Sequence, residues 1–267
     1  MDEVMGKDRG KIAHLFEGCQ AALVWSCLQN CMGRAWADRL GYPEAAQIIV
    51  GDFCFFAGKA NEALVKNIPV DFMSDEVLMV PQNESWEFLI RKIYGTAARG
   101  FARYAIKKEG DIFDRARLKR FVDKVSDPYC LKEIDRELYH KVLQHEWSKD
   151  FCALYKNYED YRMHGLGYVA LYRGEPVSGA SAYGYYRSGI EIEVDTKTGY
   201  RRQGLAAACA ARLILECLSR NIYPSWDAHS LQSAGLAQKL GYHADRPYDT
   251  YAVKIKKSSA SNRTPIE

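Results

Sequence analysis

"GIEIEVDTKTGYRRQGLAAACAARLILECL", residues 189–218, decides how this chain folds. Its first part alternates strictly: Ile190, Ile192 and Val194 face one way, and Glu191, Glu193 and Asp195 the other. That is the pattern of a strand with one apolar and one acidic face. Lys197-Thr198-Gly199 turns the chain, and Arg201-Arg202-Gln203-Gly204-Leu205-Ala206 opens an apolar helix almost free of charge. The first turn of a helix carries unpaired N–H groups and the positive end of the helix dipole, and both attract anions. Gly204 and Ala206 have little or no side chain, so a phosphate can approach the backbone closely. Arg201 and Arg202 add positive charge. The turn reads as a diphosphate cradle that lacks the GK[ST] of a P-loop. A plain helix start with solvated arginines is the competing reading.

Composition narrows the classes. A length of 267 residues suits one large domain or two small ones. Hydrophobic residues at 48% and charged residues at 27% are ordinary for a globular chain. A net charge of +3 and a pI near 8.3 are too mild to argue for a nucleic-acid partner. No apolar run approaches the roughly 18 residues of a membrane span, and "MDEVMGKDRGK" lacks the apolar centre of a signal peptide. No membrane partner is expected. The eight cysteines are scattered, none in a CxxC pair, and several lie in apolar helical stretches. They are expected to be reduced core thiols of a cytoplasmic protein without a metal site.

Downstream of the opening stretch, the pattern predicts a strand "NIYPSWDA" (221–228), a helix "LQSAGLAQKLGY" (231–242) and a strand "DTYAVKI" (249–255). Upstream lies a β-meander over 167–194, with turns at Gly174-Glu175-Pro176 and Arg187-Ser188-Gly189. Before it, helices are expected over 131–147 and 149–165. The N-terminal part predicts a helix over Lys11–Met32, two strands within Ala45–Gly58, a helix at 61–68 and a strand at 76–81. A helix at 83–95, a strand at 101–110 and a helix at 113–125 follow. "SDPYC" (126–130) breaks the pattern. The expected division is an accessory domain over 1–125, a second domain over 126–257, and a disordered tail over 258–267 that lacks apolar residues.

Arg201-x-x-Gly204-x-Ala206, after a strand and opening a helix, resembles the acetyl-CoA pyrophosphate loop of the GNAT N-acetyltransferase superfamily, Arg/Gln-x-x-Gly-x-Gly/Ala. "SLQSAGLAQKLGY" (230–242) resembles the family's second motif, which ends in a Gly-aromatic pair, here Gly241-Tyr242. The order of elements from about Leu131 to Ile255 is similar too. "EIEVDT", "YRRQGLA" and the segment from Ser225 to Tyr242 together resemble a bacterial subgroup that includes zwittermicin-type resistance acetyltransferases. The resemblance implies an α/β (α+β) chain, with a GNAT acyl-CoA N-acyltransferase fold in the C-terminal half. The N-terminal half, which has strands and helices but no loop of this kind, is expected to be a degenerate GNAT-like domain. "NCMGRA" (30–35) and "KIYGTA" (92–97) follow expected helices rather than strands and are set aside.

The same resemblance implies site residues. Val194, Asp195 and Thr196 would hold the pantetheine arm of acetyl-CoA. Arg201, Arg202, Gln203, Gly204, Leu205 and Ala206 would hold the pyrophosphate, with Ser230 and Ser233 on the facing segment. The base that accepts the amine proton is expected at Glu193 first and Glu191 second, with Asp227 orienting the amine or sharing that role. A buried carboxyl flanked by like charge has a raised pKa suited to a base near neutral pH. An exposed acidic strand face is the plainer alternative. His229 is more often structural than catalytic in such a place. Ser230 stands where many relatives have Asn. Ala237 stands where many carry a tyrosine acid, leaving Tyr183, Tyr185, Tyr242 or water to protonate the thiolate, or a reaction that needs no dedicated acid. The expected activity is transfer of an acetyl group from acetyl-CoA to a primary amine of a small molecule or peptide, and the acidic strand face favours a cationic acceptor. A non-catalytic acyl-CoA sensor is the alternative. A homodimer is left open.

Overall fold

The structure, a computed structural model, describes residues 1–72 and 74–255; the expected tail over 258–267 lies outside the described residues. From the N-terminus come β1 (Asp2–Val4), a 3-10 stretch (Gly6–Phe16), α1 (Ala22–Leu28), β2 (Arg34–Ala37), β3 (Ala45–Val50) and β4 (Phe53–Gly58). Next are α2 (Glu62–Val65), β5 (Glu76–Val80), α3 (Glu84–Tyr94), β6 (Ala98–Ile106) and α4 (Arg115–Val122). β7 (Tyr129–Glu133), α5 (Arg136–Leu143), α6 (Tyr158–His164), β8 (Gly167–Tyr172), β9 (Glu175–Tyr186) and β10 (Gly189–Thr196) follow. The chain ends with α7 (Leu205–Ser219), β11 (Tyr223–Ser225), β12 (Asp227–Ala228), α8 (Leu231–Leu240) and β13 (Ala244–Lys254).

Local chemistry explains most boundaries. Asn61, Asn83 and Asp114 each accept two first-turn N–H groups and so start α2, α3 and α4. Four expectations need correction. The helix over Lys11–Met32 is instead a 3-10 stretch and the short α1, parted at Gly18, whose φ of +77° a helix cannot accommodate. The helix over 131–147 begins as β7, because Leu131 pairs with Ala170 on β8; Asp135 then caps α5 by accepting the Leu138 N–H. The helix over 149–165 is a 3-10 turn (Lys149–Phe151) and then α6, capped by Asn157. The strand over 221–228 parts at buried Trp226 into β11 and β12, which pair with different strands.

The chain divides into two compact units, and residue 126 is not the dividing point. The first holds 1–17, 34–101 and 249–255 of the described residues; the second holds 18–33 and 102–248. In the first unit, β1 to β5 run side by side and the last residues of β13 pair with β5, Tyr251 opposite Met79. Its core is built around α3: Trp86 stacks on Phe56 with centroids 5.0 Å apart and donates its indole N–H to the Gly58 carbonyl.

In the second unit, β7 to β10 form an antiparallel meander, with β11 parallel to β10 at its far side. α7 packs on β8 and β9 through small residues; Ala207, Ala208, Cys209, Ala210 and Ala211 are all buried. Alanine at the contact lets helix and sheet approach closely, which is why this helix carries so little charge. α4 packs along α7, and Leu118 of α4 and Ile106 of β6 belong to the same core. α1 lies against β9. All eight cysteines are free thiols; five are buried and Cys130 is exposed.

Candidate active site

All candidate site residues fall in the second unit. β10 and β11 run parallel from Gly189↔Tyr223 to Glu191↔Ser225. There β11 ends. The chain turns through Trp226 into β12, which pairs with β6 (Asp227↔Ala105). The pairing of β10 with β11 therefore stops at Glu191, while β10 runs on to Thr196. Val194, Asp195 and Thr196 lie on this length of β10, whose other side pairs with β9. A strand edge with no neighbour presents backbone N–H and C=O groups to whatever lies beside it.

After β10 the chain makes a 3-10 turn (Thr198–Tyr200) and enters α7 at Gly204. Gly204 is left-handed at φ +85°, and a Cβ built on it would meet no atom within 4 Å. Space lies open over the helix start. No side chain caps α7, and its first turn carries no acidic residue. Residues 201–204 are all exposed. Arg201 turns inward to brace the loop: its Nε donates to the Thr196 carbonyl at 2.9 Å and its Nη2 reaches Asp195 Oδ1 at 3.4 Å. Arg202, at φ +65°, is left as the outward cation. Gln203 Oε1 accepts the Tyr129 hydroxyl at 2.7 Å. Leu205 is a core side chain at 4% exposure, so only its backbone can serve a ligand. Ala206 is half-buried.

The facing segment differs from expectation in detail. Ser230 is spent as the cap of α8, accepting the Ser233 N–H at 3.3 Å. Ser233 Oγ accepts the Trp226 indole at 3.1 Å. Ala237 is fully buried. Tyr242 is buried too and donates its hydroxyl to the Pro224 carbonyl at 2.7 Å, which ties it to the fold. Tyr185 stacks on His164 with centroids 4.5 Å apart and donates to the Cys31 carbonyl. Tyr183 is the extra residue where β9 slips in register against Glu191 and Ile192, a β-bulge.

The two glutamates separate sharply. Glu193 is half-buried and has a partner. Glu191 is 7% exposed, and its Oε1 has no hydrogen-bond partner. Burial pushes its carboxyl from the ordinary 4.5 up to about 7; Lys108 and Arg103 pull it down, Asp227 pushes it up, and the Asp227 backbone N–H favours the charged form. This is the titration expected of a base poised near neutral pH.

Asp227 is locked in place. Arg103 on β6 reaches Asp227 Oδ1 from Nε at 2.8 Å and from Nη2 at 2.6 Å. Tyr248 donates to Asp227 Oδ2 at 2.8 Å and accepts from Arg103 Nε at 3.2 Å. Arg103 Nη1 lies 3.2 Å from His229 Nδ1. A guanidinium can only donate, so His229 Nδ1 is the acceptor in this contact. Burial works against the Arg103 charge, but the Asp227 carboxylate outweighs it and holds the guanidinium above its usual value. Burial likewise raises the Tyr248 hydroxyl well above the ordinary range. Asp227 therefore holds Arg103, and its backbone N–H holds Glu191.

Arg103, Tyr248 and Lys108 are site neighbours that the sequence pattern did not single out. Nothing local marks them: two lie within strands and one just past a strand end, and only the pairing of β12 with β6 brings Asp227 to Arg103. Among the described residues, no group of three or more His, Cys, Asp or Glu side chains could hold a metal ion, and no helix is long and apolar enough to cross a membrane.

Comparison with known proteins bears on this arrangement. The family model described as GNAT acetyltransferase matches residues 13–251. The chain is 23% identical over 242 residues to the uncharacterised N-acetyltransferase YdfB of Bacillus subtilis, covering 85% of this chain and 88% of that one. It is 42% identical to a GCN5-related N-acetyltransferase-like protein of Streptococcus suis whose crystal structure superposes with a TM-score of 0.88, over 93% of this chain and 100% of that one. A tandem GNAT protein from the clavulanic acid biosynthesis pathway shares the fold, with a TM-score of 0.56 at 9% identity, over 97% and 99% of the two chains.

Proposed function

The chain belongs to the GNAT acetyltransferase family and is an N-acetyltransferase of it, and from that footing we propose that it moves an acetyl group from acetyl-CoA to a primary amine of a small molecule or peptide. The observation that carries this reading is the strand–turn–helix at 189–219: an unpaired strand edge, then an uncapped helix start with open space over Gly204. The α7 N–H groups and Arg202 would take the pyrophosphate. The edge of β10 at Val194, ahead of Asp195 and of Thr196 whose N–H and carbonyl are engaged by Asp195 Oδ1 and Arg201, would take an amide of the pantetheine arm. The reactive thioester would then lie where β10 and β11 part, beside Glu191.

At that point the amine nitrogen attacks the thioester carbonyl carbon, the C–S bond breaks, and coenzyme A leaves as its thiolate. The proton lost by the amine passes to Glu191. Its carboxyl is fully covered, so a single water is its natural link to the amine. We assign the base to Glu191 rather than Glu193, because Glu191 combines a raised pKa with an unpartnered oxygen. Asp227, paired with Arg103, is a positioning residue. We further propose that the enzyme works in the cytoplasm, and that it stands with the bacterial subgroup that includes zwittermicin-type resistance acetyltransferases. The likeness of three segments, "EIEVDT", "YRRQGLA" and Ser225–Tyr242, supports the subgroup.

One observation favours a second reading, a non-catalytic acyl-CoA sensor. Ala237 is buried and Tyr242 is tied to Pro224, so neither offers an acid for the thiolate. Thiol release from acetyl-CoA across a library of amines separates the two. Turnover with any amine supports the enzyme. Tight acetyl-CoA binding by calorimetry with no thiol release favours the sensor, and no binding at all overturns the cofactor assignment.

A further inference from the structure

Lys108, just past the end of β6, is held with unusual firmness for a lysine in a connecting segment. The residues on both sides of it are tied to Tyr223 of β11. The Glu109 N–H donates to the Tyr223 hydroxyl at 3.0 Å, and that hydroxyl lies 3.4 Å from the Lys107 carbonyl. The Lys107 N–H donates to the His243 carbonyl at 3.0 Å. The neighbouring acid is already engaged, since Glu109 pairs with His243 at 2.7 Å. Lys108 Nζ sits over the ring of Trp25 on α1, 5.3 Å from its centroid. Trp25 meets Tyr186 edge-on at 5.5 Å. Tyr186 shares a hydrogen bond of 2.9 Å with Ser225, and Ser225 stands opposite Glu191.

So a half-buried ammonium and a buried carboxyl with an unpartnered oxygen are linked through Trp25, Tyr186 and Ser225, and the Lys108 charge acts on the Glu191 carboxyl. No carboxylate of the described residues stands within ion-pair distance of Lys108. The other cation there, Arg103, is neutralised by Asp227. A cationic amine that approaches Glu191 alone meets Lys108 as a like charge. An amine that also carries an anion satisfies both groups. The acidic face of β10, read by itself, favours a cationic acceptor; Lys108, supplied from β6, reverses that preference.

We propose that Lys108 is the acceptor anchor, and that the acceptor is an amino-acid-type molecule whose carboxylate pairs with Lys108 while its amine faces Glu191. This rests on the acetyltransferase reading and deepens it. The aromatic ring 5.3 Å from the ammonium holds it and limits its reach, which sets where the carboxylate must sit. The other titratable groups facing Glu191 are Tyr186, Tyr223 and Tyr242, all of them neutral phenols with pKa values raised by burial. They do not compete for the anion.

The test uses the full chain with acetyl-CoA and matched acceptors: L-phenylalanine against 2-phenylethylamine, L-tryptophan against tryptamine, and L-lysine against cadaverine. The readout is kcat/KM by thiol release, taken as the ratio within each pair, because Lys108 also bears on the Glu191 proton and would shift both members together. The wild type should prefer the carboxylate-bearing member of at least one pair by at least about tenfold. Lys108→Gln should bring that ratio toward one, while Lys108→Arg should keep most of it. Equal use of both members, preference for the decarboxylated amines, or an unchanged ratio in Lys108→Gln each overturns the anchor while the acetyltransferase reading stands. If no acceptor of either kind is turned over, the anchor falls with the enzyme reading, and acetyl-CoA calorimetry shows whether the cofactor site survives.

Discussion

Glu191 is the residue at which stability and the proposed chemistry pull against each other. Its carboxyl is held near pH 7 by burial. Below pH 4.5 it is protonated in folded and unfolded chains alike. Between 4.5 and about 7 it gives up its proton only on unfolding. Stability therefore falls as pH rises through that window and levels off above it. Glu191→Gln should remove this slope. At pH 8, urea unfolding should show the variant to be more stable than wild type, by up to about 3 kcal/mol, with little difference at pH 4. The same variant should lose roughly 10²-fold or more in kcat, with acetyl-CoA affinity kept. Wild-type activity should rise with pH through about 7. If Glu191→Gln keeps its rate and pH profile while Glu193→Gln loses them, the base is Glu193. Asp227 behaves differently. Asp227→Ala strands the buried Arg103 charge and should cost about 3 kcal/mol or more, seen as a lower urea midpoint. An Asp227→Ala protein as stable as wild type would mean that the Arg103 pair is not structural.

At the scale of elements, the turn into α7 makes a clean test, because its glycine has room. A Cβ at Gly204 meets no atom within 4 Å, and the left-handed φ of +85° is what opposes a substitution. Gly204→Glu should therefore fold, at a cost of about 1–2 kcal/mol, yet put a carboxylate where the pyrophosphate would lie. Calorimetry should show acetyl-CoA binding lost while circular dichroism is retained; unchanged affinity in the folded variant would remove the cofactor assignment. Arg201 and Arg202 should part company in the same assay. Arg202→Ala should weaken acetyl-CoA binding in a salt-dependent way. Arg201→Ala should act mainly on stability, because its guanidinium braces Thr196 and Asp195. The parting of β11 from β12 at Trp226 works at this scale too, since among the described residues no strand pairs with this side of β10 beyond Glu191.

For the whole molecule, the units interleave along the chain. The second unit needs α1, the end of β6 and α4, all of which precede residue 126. A fragment cut at 126 loses Ile106 and Leu118 from its core, worth roughly 2–5 kcal/mol each, and uncovers the face of α7 that α4 occupies. It should aggregate rather than bind acetyl-CoA as a free domain; a soluble, fully active fragment would show that α1, β6 and α4 are dispensable. A titration of the intact chain should give one acetyl-CoA. "NCMGRA" leads from α1 into β2, and "KIYGTA" ends α3 ahead of β6, so neither forms a turn between a strand and a helix start. Sequence alone determined the alternation of β10, the glycine turn and the small-residue face of α7, because each is set by neighbours within a few residues. It misjudged β7, where the pairing of Leu131 with Ala170 outweighs a helical pattern. It ranked Glu193 above Glu191, because alternation puts both on one face and says nothing of depth. Only the tertiary structure decided which carboxyl is desolvated, because Lys108 and Arg103 lie 83 and 88 residues before Glu191 along the chain, and Tyr248 lies 21 residues after Asp227, to which it donates. Burial and charge at Glu191 are sums over those distant partners, and no local pattern carries them.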